Sequence, residues 1–472
     1  MTSPPQRLII VSNRLPVAVY DSGQGWAIKP SPGGLVTALA PTMKKMHGLW
    51  IGWPGCSREA PARQLLLESE GMDYRLEPVE LSDDEIARYY RGFANKSIWP
   101  LFHDLLGQFS FSSADWHKYI EVNRRFAETV AAHTSDSDFI WVHDYQLILV
   151  GKFLREIGLT QQLSFFLHIP FPSLDLFRRM PANQELIEAL LEYEHVGVQT
   201  AQDRRNFIQC IKWFLPDSTR QNFRRHSIIK HNGHQMRLGH YPISIDFEEF
   251  NEQANDSRVA DAAWYLHENQ RSRKMVLGLD RLDYTKGIPE RFSAFERLLE
   301  KYPDTHGKIA LIQIVVPSRI DVAEYQDLKT QLDGMSGRIN GRFSKHGWIP
   351  IHYLYRELDR VQLLGHYRAC EIGLITPLRD GMNLVAKEYC AASVDNQGVL
   401  ILSEFAGAAR QLAKGAIIVN PYDIESTADA IYAAYIMPED ERRRRMRAMR
   451  SDIKRNDVRR WVNSILKSDL LE

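Results

Sequence analysis

The sequence is poor in cysteine and has no cysteine pair spaced to hold a metal ion. Its four cysteines, Cys56, Cys210, Cys370 and Cys390, lie far apart among 472 residues, and none belongs to a C-x-x-C motif. This pattern argues against a structural zinc site and against a dithiol redox motif. It is typical of a protein with reduced thiols, so we expect a cytoplasmic location and no bound metal.

Long apolar runs and an excess of charge of one sign are missing as well. No run approaches the roughly 20 apolar residues of a membrane span, and residues 1–7 lack the apolar core of a signal peptide. Lysine plus arginine and aspartate plus glutamate both number 59, which leaves a formal net charge of zero. We therefore expect neither a membrane nor nucleic acid as a partner, because no overall field attracts the protein to a polyanion.

Short apolar segments rich in β-branched residues alternate with longer amphipathic segments along the whole chain. This alternation is typical of β-α-β units that build parallel sheets. The predicted strands are 7–12, 139–143, 163–169 and 196–199 in the first half, and 275–279, 309–316, 351–354, 372–376, 399–403 and 416–419 in the second. Because the length exceeds what one hydrophobic core usually supports, we predict an α/β protein with two Rossmann-like domains.

Turn signals predict two hairpins in the first half. One is 17–28, around Ser22-Gly23-Gln24-Gly25, and the other is 227–238, around Asn232-Gly233. An Asn-Gly pair between alternating segments favours a tight turn.

A polar stretch after the second hairpin places the domain boundary near Asp246–Asp256. The predicted domains are 1–248 and 249–455, followed by a helix over 456–472 that we expect to pack back on the first domain. Ligands of doubly wound sheets bind beyond the carboxyl ends of the strands. The active site is therefore expected in the cleft between the two domains.

Polar residues follow the predicted strands of the first half. Arg14 comes directly after the opening strand, and Gly33-Gly34 precedes an amphipathic segment whose first N–H groups could approach a phosphate. His143 and His168 end two further strands. Each feature has a plain alternative, because a glycine pair is commonly a simple turn and a lone histidine is commonly a core residue. The histidines are not spaced as metal ligands.

The second half carries two charged motifs. LDRLDYTKG places Arg281 and Lys286 five residues apart after a strand, where a guanidinium fork and an ammonium could grip a diphosphate. In TPLRDGMNLVAKE, Asp380 could accept hydrogen bonds from sugar hydroxyls, and Glu388 could accept from a ribose diol. The alternative for Arg281 and Lys286 is a solvated pair of loop charges, and the alternative for Glu388 is a surface glutamate.

Together these motifs resemble the trehalose-6-phosphate synthase family, whose members are retaining glycosyltransferases with two facing Rossmann-like domains of the GT-B type. SNRLPV, FFLHIPFP, LDRLDYTKG, TPLRDGMNLVAKE and SEFAGAA all contribute, and the similarity covers nearly the whole chain. The resemblance implies transfer of glucose from UDP-glucose to glucose 6-phosphate with retention, which yields trehalose 6-phosphate and UDP. It implies no metal or other cofactor, and we expect a homo-oligomer, either a dimer or a tetramer.

The resemblance also implies a role for each matching residue. The implied acceptor-binding residues are Arg14, Tyr90, Trp99, Asp144 and Arg319, with Arg14 and Arg319 near the phosphate. The implied donor-binding residues are Gly33, Gly34, Arg281, Lys286, Leu358, Asp380, Gly381, Met382, Asn383, Leu384, Val385, Ala386, Lys387 and Glu388. The implied catalytic residues are Arg281, Lys286, His168 and Asp380. His168 would lie beside the transferred glucose. No carboxylate nucleophile is identifiable from the sequence. The resemblance implies instead that the acceptor and the leaving group react on one face of the sugar, where the leaving-group oxygen takes the proton of the acceptor.

Two features leave alternatives open. Leu358 stands where relatives often carry an aromatic residue near the nucleobase, so ADP-glucose or GDP-glucose remains possible as the donor. A related retaining glucosyltransferase with another acceptor is one rival, and a catalytically silent subunit that binds sugar phosphate is another. The presence of Arg14 and Arg319 argues against the first rival, and that of Arg281 and Lys286 argues against the second.

Overall fold

A computed structural model of the chain describes residues 7–31, 33–68, 73–270, 273–319 and 322–470. Backbone contacts divide it into two compact units. The first holds the chain up to Pro242 together with the segment from Trp461 onward, and the second holds Ile243–Arg460. The division thus falls a few residues before the boundary predicted from the sequence. Residues 471–472, at the end of the predicted last helix, lie outside the described part.

In the described part of the first unit, nine strands form one sheet and two more form a separate hairpin. The strands are β1 Leu8–Arg14, β2 Val17–Asp21, β3 Trp26–Pro30, β4 Leu49–Trp53, β5 Arg75–Pro78, β6 Phe139–His143, β7 Leu163–Phe166, β8 His195–Val198, β9 Thr219–Asn222, β10 His226–His231 and β11 His234–His240. The sheet order is β5-β4-β1-β6-β7-β8-β11-β10-β9. Neighbours from β5 to β11 run parallel, whereas β10 is antiparallel to both β11 and β9.

Both predicted hairpins are confirmed, as β2-β3 and as β10-β11. The strand predicted over 163–169 ends earlier, at Phe166, because the chain then turns toward Pro170. Strands β4, β5 and β9 were not predicted, and β9 reads TRQN, which has no apolar residue. β4 reads LWIGW and is buried throughout, so it shows no alternation, and β5 has only four residues at the edge of the sheet.

Helices alternate with the strands of the first unit from β3 to β9, as is usual for β-α-β units. The α-helices are α1 Gly34–Lys45, α2 Ala62–Glu68, α3 Asp83–Glu85, α4 Trp99–Phe102, α5 Ser113–His133, α6 Val150–Ile157, α7 Leu174–Phe177, α8 Asn183–Leu191 and α9 Ala201–Phe214. A π-helix spans Ile86–Ile98, and short 3-10 turns span Leu106–Gln108 and Tyr145–Leu147.

Six parallel strands form the sheet of the second unit within the residues described. They are β12 Lys274–Arg281, β13 Ile309–Val316, β14 Ile351–Tyr355, β15 Ile372–Ile375, β16 Val399–Ser403 and β17 Ile417–Val419, in the order β14-β13-β12-β15-β16-β17. All six strands predicted for the second half are confirmed. From β12 the chain adds β13 and β14 on one side of the sheet, and it then adds β15, β16 and β17 on the other side. Ligands of such sheets bind beyond the carboxyl ends of the strands at this switch point between β12 and β15.

Helices alternate with the strands of the second unit as well. They are α10 Phe247–Ala254, α11 Ser257–Asn269, α12 Ile288–Lys301, α13 Ala323–Phe343, α14 Arg360–Ala369, α15 Leu384–Ala392, α16 Ala409–Leu412, α17 Ile424–Ile436 and α18 Glu439–Arg455, with 3-10 turns at Tyr284–Lys286 and Pro303–Thr305. On α12, Ile288, Phe292, Phe295 and Leu299 recur every three or four residues and are fully buried. Each such side chain stabilises the core by about 1.5–3 kcal/mol.

The last helix, α19 Val458–Leu470, brings the chain back to the first unit. The ring of Trp461 lies 5.3 Å from that of Trp141 and 5.1 Å from that of Phe166. Its indole N–H donates to the Tyr241 carbonyl at 3.2 Å. Over the ranges described, no helix combines the length and the apolar character needed to cross a membrane.

Candidate active site

An ion pair lies at the switch point of the second sheet. Lys286 Nζ is 2.6 Å from Asp380 Oδ2, and the two side chains are only 11% and 15% exposed. Asn383 Nδ2 donates to the same carboxylate oxygen at 3.2 Å. Lys286 follows β12 and Asp380 follows β15, so the pair closes across the point where the strand order reverses.

The turn that carries Lys286 is built by the residues around it. Asp283 Oδ1 accepts from the Thr285 N–H at 3.0 Å and from the Thr285 hydroxyl at 2.9 Å, which fixes a single 3-10 turn. Gly287 then takes a left-handed φ of 63°, and a Cβ there would lie 2.3 Å from the Thr376 carbonyl oxygen. Only glycine fits both the conformation and the space.

Asp380 lies in a loop and not directly at the end of a strand. β15 stops at Ile375, before Pro377, and Asp380 instead forms an isolated bridge with Ala406. Asn383 caps α15 with a left-handed φ of 72°, and its Oδ1 accepts from the Ala386 N–H at 3.2 Å. The first N–H groups of a helix lack partners within it and carry partial positive charge, so the start of α15 favours an anion.

Gly407 holds this loop by close backbone approach. A Cβ at position 407 would lie 1.9 Å from the Gly381 carbonyl oxygen, and the Gly407 N–H donates to the Asp380 carbonyl at 3.1 Å. If the loop binds UDP, as the family resemblance implies, we expect Gly407→Ala to displace it and to weaken UDP binding about tenfold, measured by calorimetry. Gly334→Ala is the matched control because nothing lies within 4 Å of a Cβ there and helix propensity favours alanine. Equal UDP affinity in the two variants would contradict this account.

Three cations gather around one buried carboxylate that the sequence analysis did not single out. Asp283 is 2% exposed, and its Oδ2 lies 4.0 Å from Arg281 Nη2 and 3.9 Å from Arg319 Nη1. Burial acts to raise the pKa of Asp283, but Arg319, Lys286 and Arg281 together lower it below its ordinary value. The position of Asp283 between Arg281 and Lys286 in one motif was the available signal.

These cations differ in how they are held. The Arg281 side chain is 51% exposed. Arg319 is 8% exposed, has a left-handed φ of 49° and hydrogen-bonds the Tyr325 hydroxyl. The structure therefore brings Arg319, predicted for the acceptor, together with Arg281 and Lys286, predicted for the donor.

Most of the other donor residues predicted for the second unit lie on α15 or in the loop before it, whereas Leu358 precedes α14. Lys387 is buried and donates to the Ile243 carbonyl at 2.7 Å, and burial lowers its pKa to about 7. Glu388 accepts from the Tyr367 hydroxyl at 2.7 Å, and burial raises its pKa. Leu358 is half-buried just before Asp359, the N-cap of α14. The Lys387 ammonium thus points at a backbone carbonyl and not at the Asp380 carboxylate.

In the first unit, Arg14 lies against aromatic rings at the carboxyl end of β1. Its guanidinium carbon is 4.3 Å from the centre of the Trp53 ring, and the Tyr90 ring meets Trp53 edge-on at 5.5 Å. Desolvation by the surrounding protein lowers the pKa of Arg14, although part of the side chain faces solvent. A Cβ at Gly55 would lie 2.6 Å from Arg14 Nη1, so glycine leaves room for the guanidinium.

Tyr90 lies on the π-helix Ile86–Ile98, and Trp99 follows it directly. Runs of π-helix are rare and are frequently found at functional sites. Asn95 donates to the Tyr90 carbonyl at 2.6 Å and accepts from the Tyr145 hydroxyl at 2.9 Å. The buried Trp99 ring lies 5.6 Å from the Tyr145 ring, so Tyr145 connects both predicted acceptor residues.

Asp144 and His168 meet at the carboxyl ends of β6 and β7. Asp144 has a left-handed φ of 74°, and its Oδ1 accepts from the His168 backbone N–H at 3.1 Å. His168 Nε2 lies 3.1 Å from His143 Nδ1. Burial lowers the pKa of His168 to about 3, so its imidazole is neutral at physiological pH. The structure thus brings Asp144 and His168 together.

Gly33 and Gly34 open α1, as the sequence predicted. Gly33 is the N-cap, with an extended backbone and no side chain to cap the helix, and both glycines are exposed. The first N–H groups of α1 are therefore free of a competing cap from Gly33.

The match to a known family decides the class of protein. The family model described as Glycosyltransferase family 20 matches residues 6–470. The chain belongs to glycosyltransferase family 20. This membership confirms the resemblance seen in the sequence.

Curated relatives of this family 20 member match along its whole length. The trehalose-6-phosphate synthase of Mycolicibacterium vanbaalenii is 41% identical over 467 residues, which cover 97% of this chain and 94% of that relative. Two relatives are longer, and the chain spans about three-fifths of each. They are α,α-trehalose-phosphate synthase [UDP-forming] A of Dictyostelium discoideum, 39% identical with 98% of this chain and 62% of the relative covered, and the bifunctional trehalose-6-phosphate synthase/phosphatase of Thermoproteus tenax, 40% identical with 98% and 63% covered.

Solved structures give the same result for the fold. A UDP-forming α,α-trehalose-phosphate synthase of Burkholderia xenovorans, in complex with glucose-6-phosphate, superposes with a TM-score of 0.89 at 37% identity, covering 98% of this chain and 100% of that one. The E. coli protein bound with UDP-2-fluoro glucose gives a TM-score of 0.88 at 37% identity, with 98% of each chain covered. The predicted α/β fold of the GT-B class is confirmed for this family 20 member.

Proposed function

We propose that this protein transfers glucose from UDP-glucose to glucose 6-phosphate with retention, which yields trehalose 6-phosphate and UDP. The observation that carries the proposal is the Lys286–Asp380 pair at the switch point of the second sheet. A nucleotide sugar presents a diphosphate and a set of hydroxyls, and this pair offers a cation and a hydrogen-bond acceptor side by side. The relatives crystallised with glucose-6-phosphate and with UDP-2-fluoro glucose support the choice of substrates.

On the donor side, Lys286 and Arg281 bind the diphosphate, and the start of α15 adds partial positive charge at Leu384 and Val385. These groups stabilise the transition state because negative charge grows on the leaving phosphate as the bond from sugar carbon 1 to oxygen breaks. Asp380 accepts from a sugar hydroxyl and so holds the ring in place.

On the acceptor side, Arg14 and Arg319 bind the phosphate of glucose 6-phosphate, because a guanidinium fork matches phosphate oxygens. Trp99 and Tyr90 provide an aromatic surface for the sugar, and Asp144 accepts from one of its hydroxyls. The acceptor hydroxyl attacks carbon 1 from the face that UDP leaves. Its proton passes to the departing phosphate oxygen, so the configuration is retained and no enzyme nucleophile is needed.

Release of UDP from UDP-glucose, with and without glucose 6-phosphate, tests this function. We expect release only with both substrates, and a kcat/KM about 10- to 100-fold lower in Arg281→Ala, because half-exposed Arg281 shares the diphosphate with Lys286. Arg338→Ala is the matched control, since Arg338 is 59% exposed and pairs only weakly with Glu296 at 3.3 Å. If UDP-, ADP- and GDP-glucose all fail with this acceptor, the synthase assignment is wrong and the other-acceptor or silent-subunit alternative replaces it.

The proposal includes a reaction without a metal, because the two cations supply the charge that Mg²⁺ supplies in many phosphoryl sites. We expect the rate of UDP release to be unchanged in excess EDTA. A loss of activity that added Mg²⁺ or Mn²⁺ restores would contradict this expectation.

A homo-oligomer, dimer or tetramer, and a cytoplasmic location also remain proposals. The family resemblance supports the first, and the scattered cysteines support the second. A solution mass of one 54.5 kDa chain by light scattering would contradict the oligomer.

A further inference from the structure

Two histidines meet behind the carboxyl edge of the first sheet. His143, the last residue of β6, and His168, two residues after β7, place Nδ1 and Nε2 3.1 Å apart. The ring centres are 5.4 Å apart and the ring planes differ by 30°. At this distance the two nitrogens share one hydrogen, which one ring donates and the other accepts.

Both imidazoles are neutral at physiological pH. Burial and the neighbouring ring lower the pKa of His143 well below its ordinary value, and burial lowers that of His168 to about 3. The pair is enclosed by the rings of Trp141, Phe166 and Trp461 at 4.6, 4.7 and 6.2 Å. A neutral imidazole has one N–H and one lone pair, so only two arrangements of the shared hydrogen exist.

The second nitrogen of His143 distinguishes the two arrangements. His143 is fully buried, and in the part of the chain that the structure describes no group hydrogen-bonds its Nε2. If His168 donates, His143 carries its own proton on Nε2 as a buried N–H without an acceptor. If His143 donates from Nδ1, Nε2 has only a lone pair. A buried N–H donor without a partner is rarer in proteins than an acceptor without one.

We propose that His143 is a positioning residue that donates from Nδ1 to His168 Nε2 and thereby fixes the proton of His168 on Nδ1. His168 then offers an N–H donor, and not a lone pair, to a hydroxyl of the transferred sugar. The use of that donor rests on the proposed function, whereas the tautomer itself does not. The backbone of His168 is fixed independently, through its N–H to Asp144 and its carbonyl to Gln199. His143 therefore determines only the tautomer of the His168 ring and not the position of the His168 backbone.

The tautomer can be measured without turnover. Histidine labelled with ¹⁵N in the full-length protein gives distinct nitrogen shifts for Nδ1–H and Nε2–H rings, and the signal of His168 is the one lost in His168→Gln. We expect an Nδ1–H ring for His168 in the unaltered protein. An Nε2–H or a charged ring at pH 7 overturns the proposal before any other variant is made.

Two variants of equal size isolate the hydrogen bond. In His143→Asn the amide nitrogen stands as many bonds from Cα as Nδ1 does, so it still donates to His168, whereas isosteric His143→Leu cannot. We expect the Asn variant to keep the Nδ1–H ring and the Leu variant to lose it. The kcat of the Leu variant should be about tenfold below that of the Asn variant, with the KM for glucose 6-phosphate equal in both.

His195→Leu controls for the loss of a buried histidine. His195 lies in the adjacent strand β8, at its amino end, and bonds the Tyr241 hydroxyl at 3.0 Å. It should lower the melting temperature without changing the His168 ring or the kcat. Equal tautomers in the Asn and Leu variants overturn the proposal. An Nδ1–H ring in a protein that releases no UDP leaves the tautomer assignment standing and refutes the proposed function.

Discussion

Replacing Lys286 with methionine should lower kcat/KM for UDP-glucose by about 100- to 1000-fold, the range found when one preorganised donor to a developing anion is removed. The reason is the position of the ammonium, which lies 2.6 Å from Asp380 on a turn fixed by Asp283 and Gly287. Because the turn already holds the ammonium in place before the reaction, Lys286 mainly stabilises the charge that develops in the transition state. Most of the loss should therefore fall on kcat. Steady-state UDP release gives the effect on kcat, and UDP affinity by calorimetry gives the effect on binding.

Lys329→Met is the matched control for this prediction. Lys329 lies on the second unit's surface, is 30% exposed and pairs with Asp333 at 2.5 Å one helical turn away. Its loss should change kcat/KM less than twofold, since exposed ion pairs contribute about 0–1 kcal/mol. A Lys286→Met enzyme that keeps a kcat within threefold of the unaltered protein would remove Lys286 from the catalytic residues.

Replacing Arg291 with methionine should destabilise the second unit by about 3–5 kcal/mol, because it leaves a buried carboxylate without its partner. Arg291 is 1% exposed and donates to Asp280 at 2.5 Å, to Gln313 at 3.0 Å and to Thr376 at 3.2 Å. It also donates to the Lys286 carbonyl at 3.3 Å. The melting temperature should fall by about 10 °C, as measured by calorimetry. Burial already raises the pKa of Asp280, so the loss should shrink at acidic pH as Asp280 binds a proton.

Arg297→Met on the same helix provides the control. Arg297 is 38% exposed and pairs with Glu300 at 3.1 Å and with the exposed Glu425, so its loss should cost no more than about 1 kcal/mol. Adding Asp280→Asn to Arg291→Met should recover part of the stability, since the uncompensated charge is then gone. A double variant that is as unstable as the sum of the two single ones would show that the pair does not act as a unit.

The strands of the second unit could be predicted well because their apolar, largely β-branched residues strongly favour buried strands. β13 reads IALIQIVV, a run that is apolar except for one glutamine and is rich in β-branched residues, as is typical of a strand buried on both faces. The unpredicted β4 and β5 lack that signal, since β4 contains Gly52 and β5 contains a single interior leucine. The π-helix Ile86–Ile98 was also beyond prediction, because its periodic apolar residues suit an ordinary helix equally well.

The sequence named most of the candidate site residues, yet it could not give their contacts. Lys286 and Asp380 stand 94 positions apart, and they meet only because β15 pairs with β12. Strand order depends on the packing of helices over the whole sheet, and no local motif records it. For the same reason the charge balance around Asp283, and the burial that keeps His168 neutral, emerge only from the structure.

The return of α19 to the first unit has a consequence for synthesis on the ribosome. Trp461 packs on Trp141 and Phe166, residues that the ribosome has translated some 300 positions earlier. At about 5–20 residues per second, the 218 residues of the second unit keep this indole away from its neighbours for about 10 to 40 s. During that interval the nascent first unit exposes the aromatic surface that Trp461 later covers. The domain translated first is therefore the one completed last.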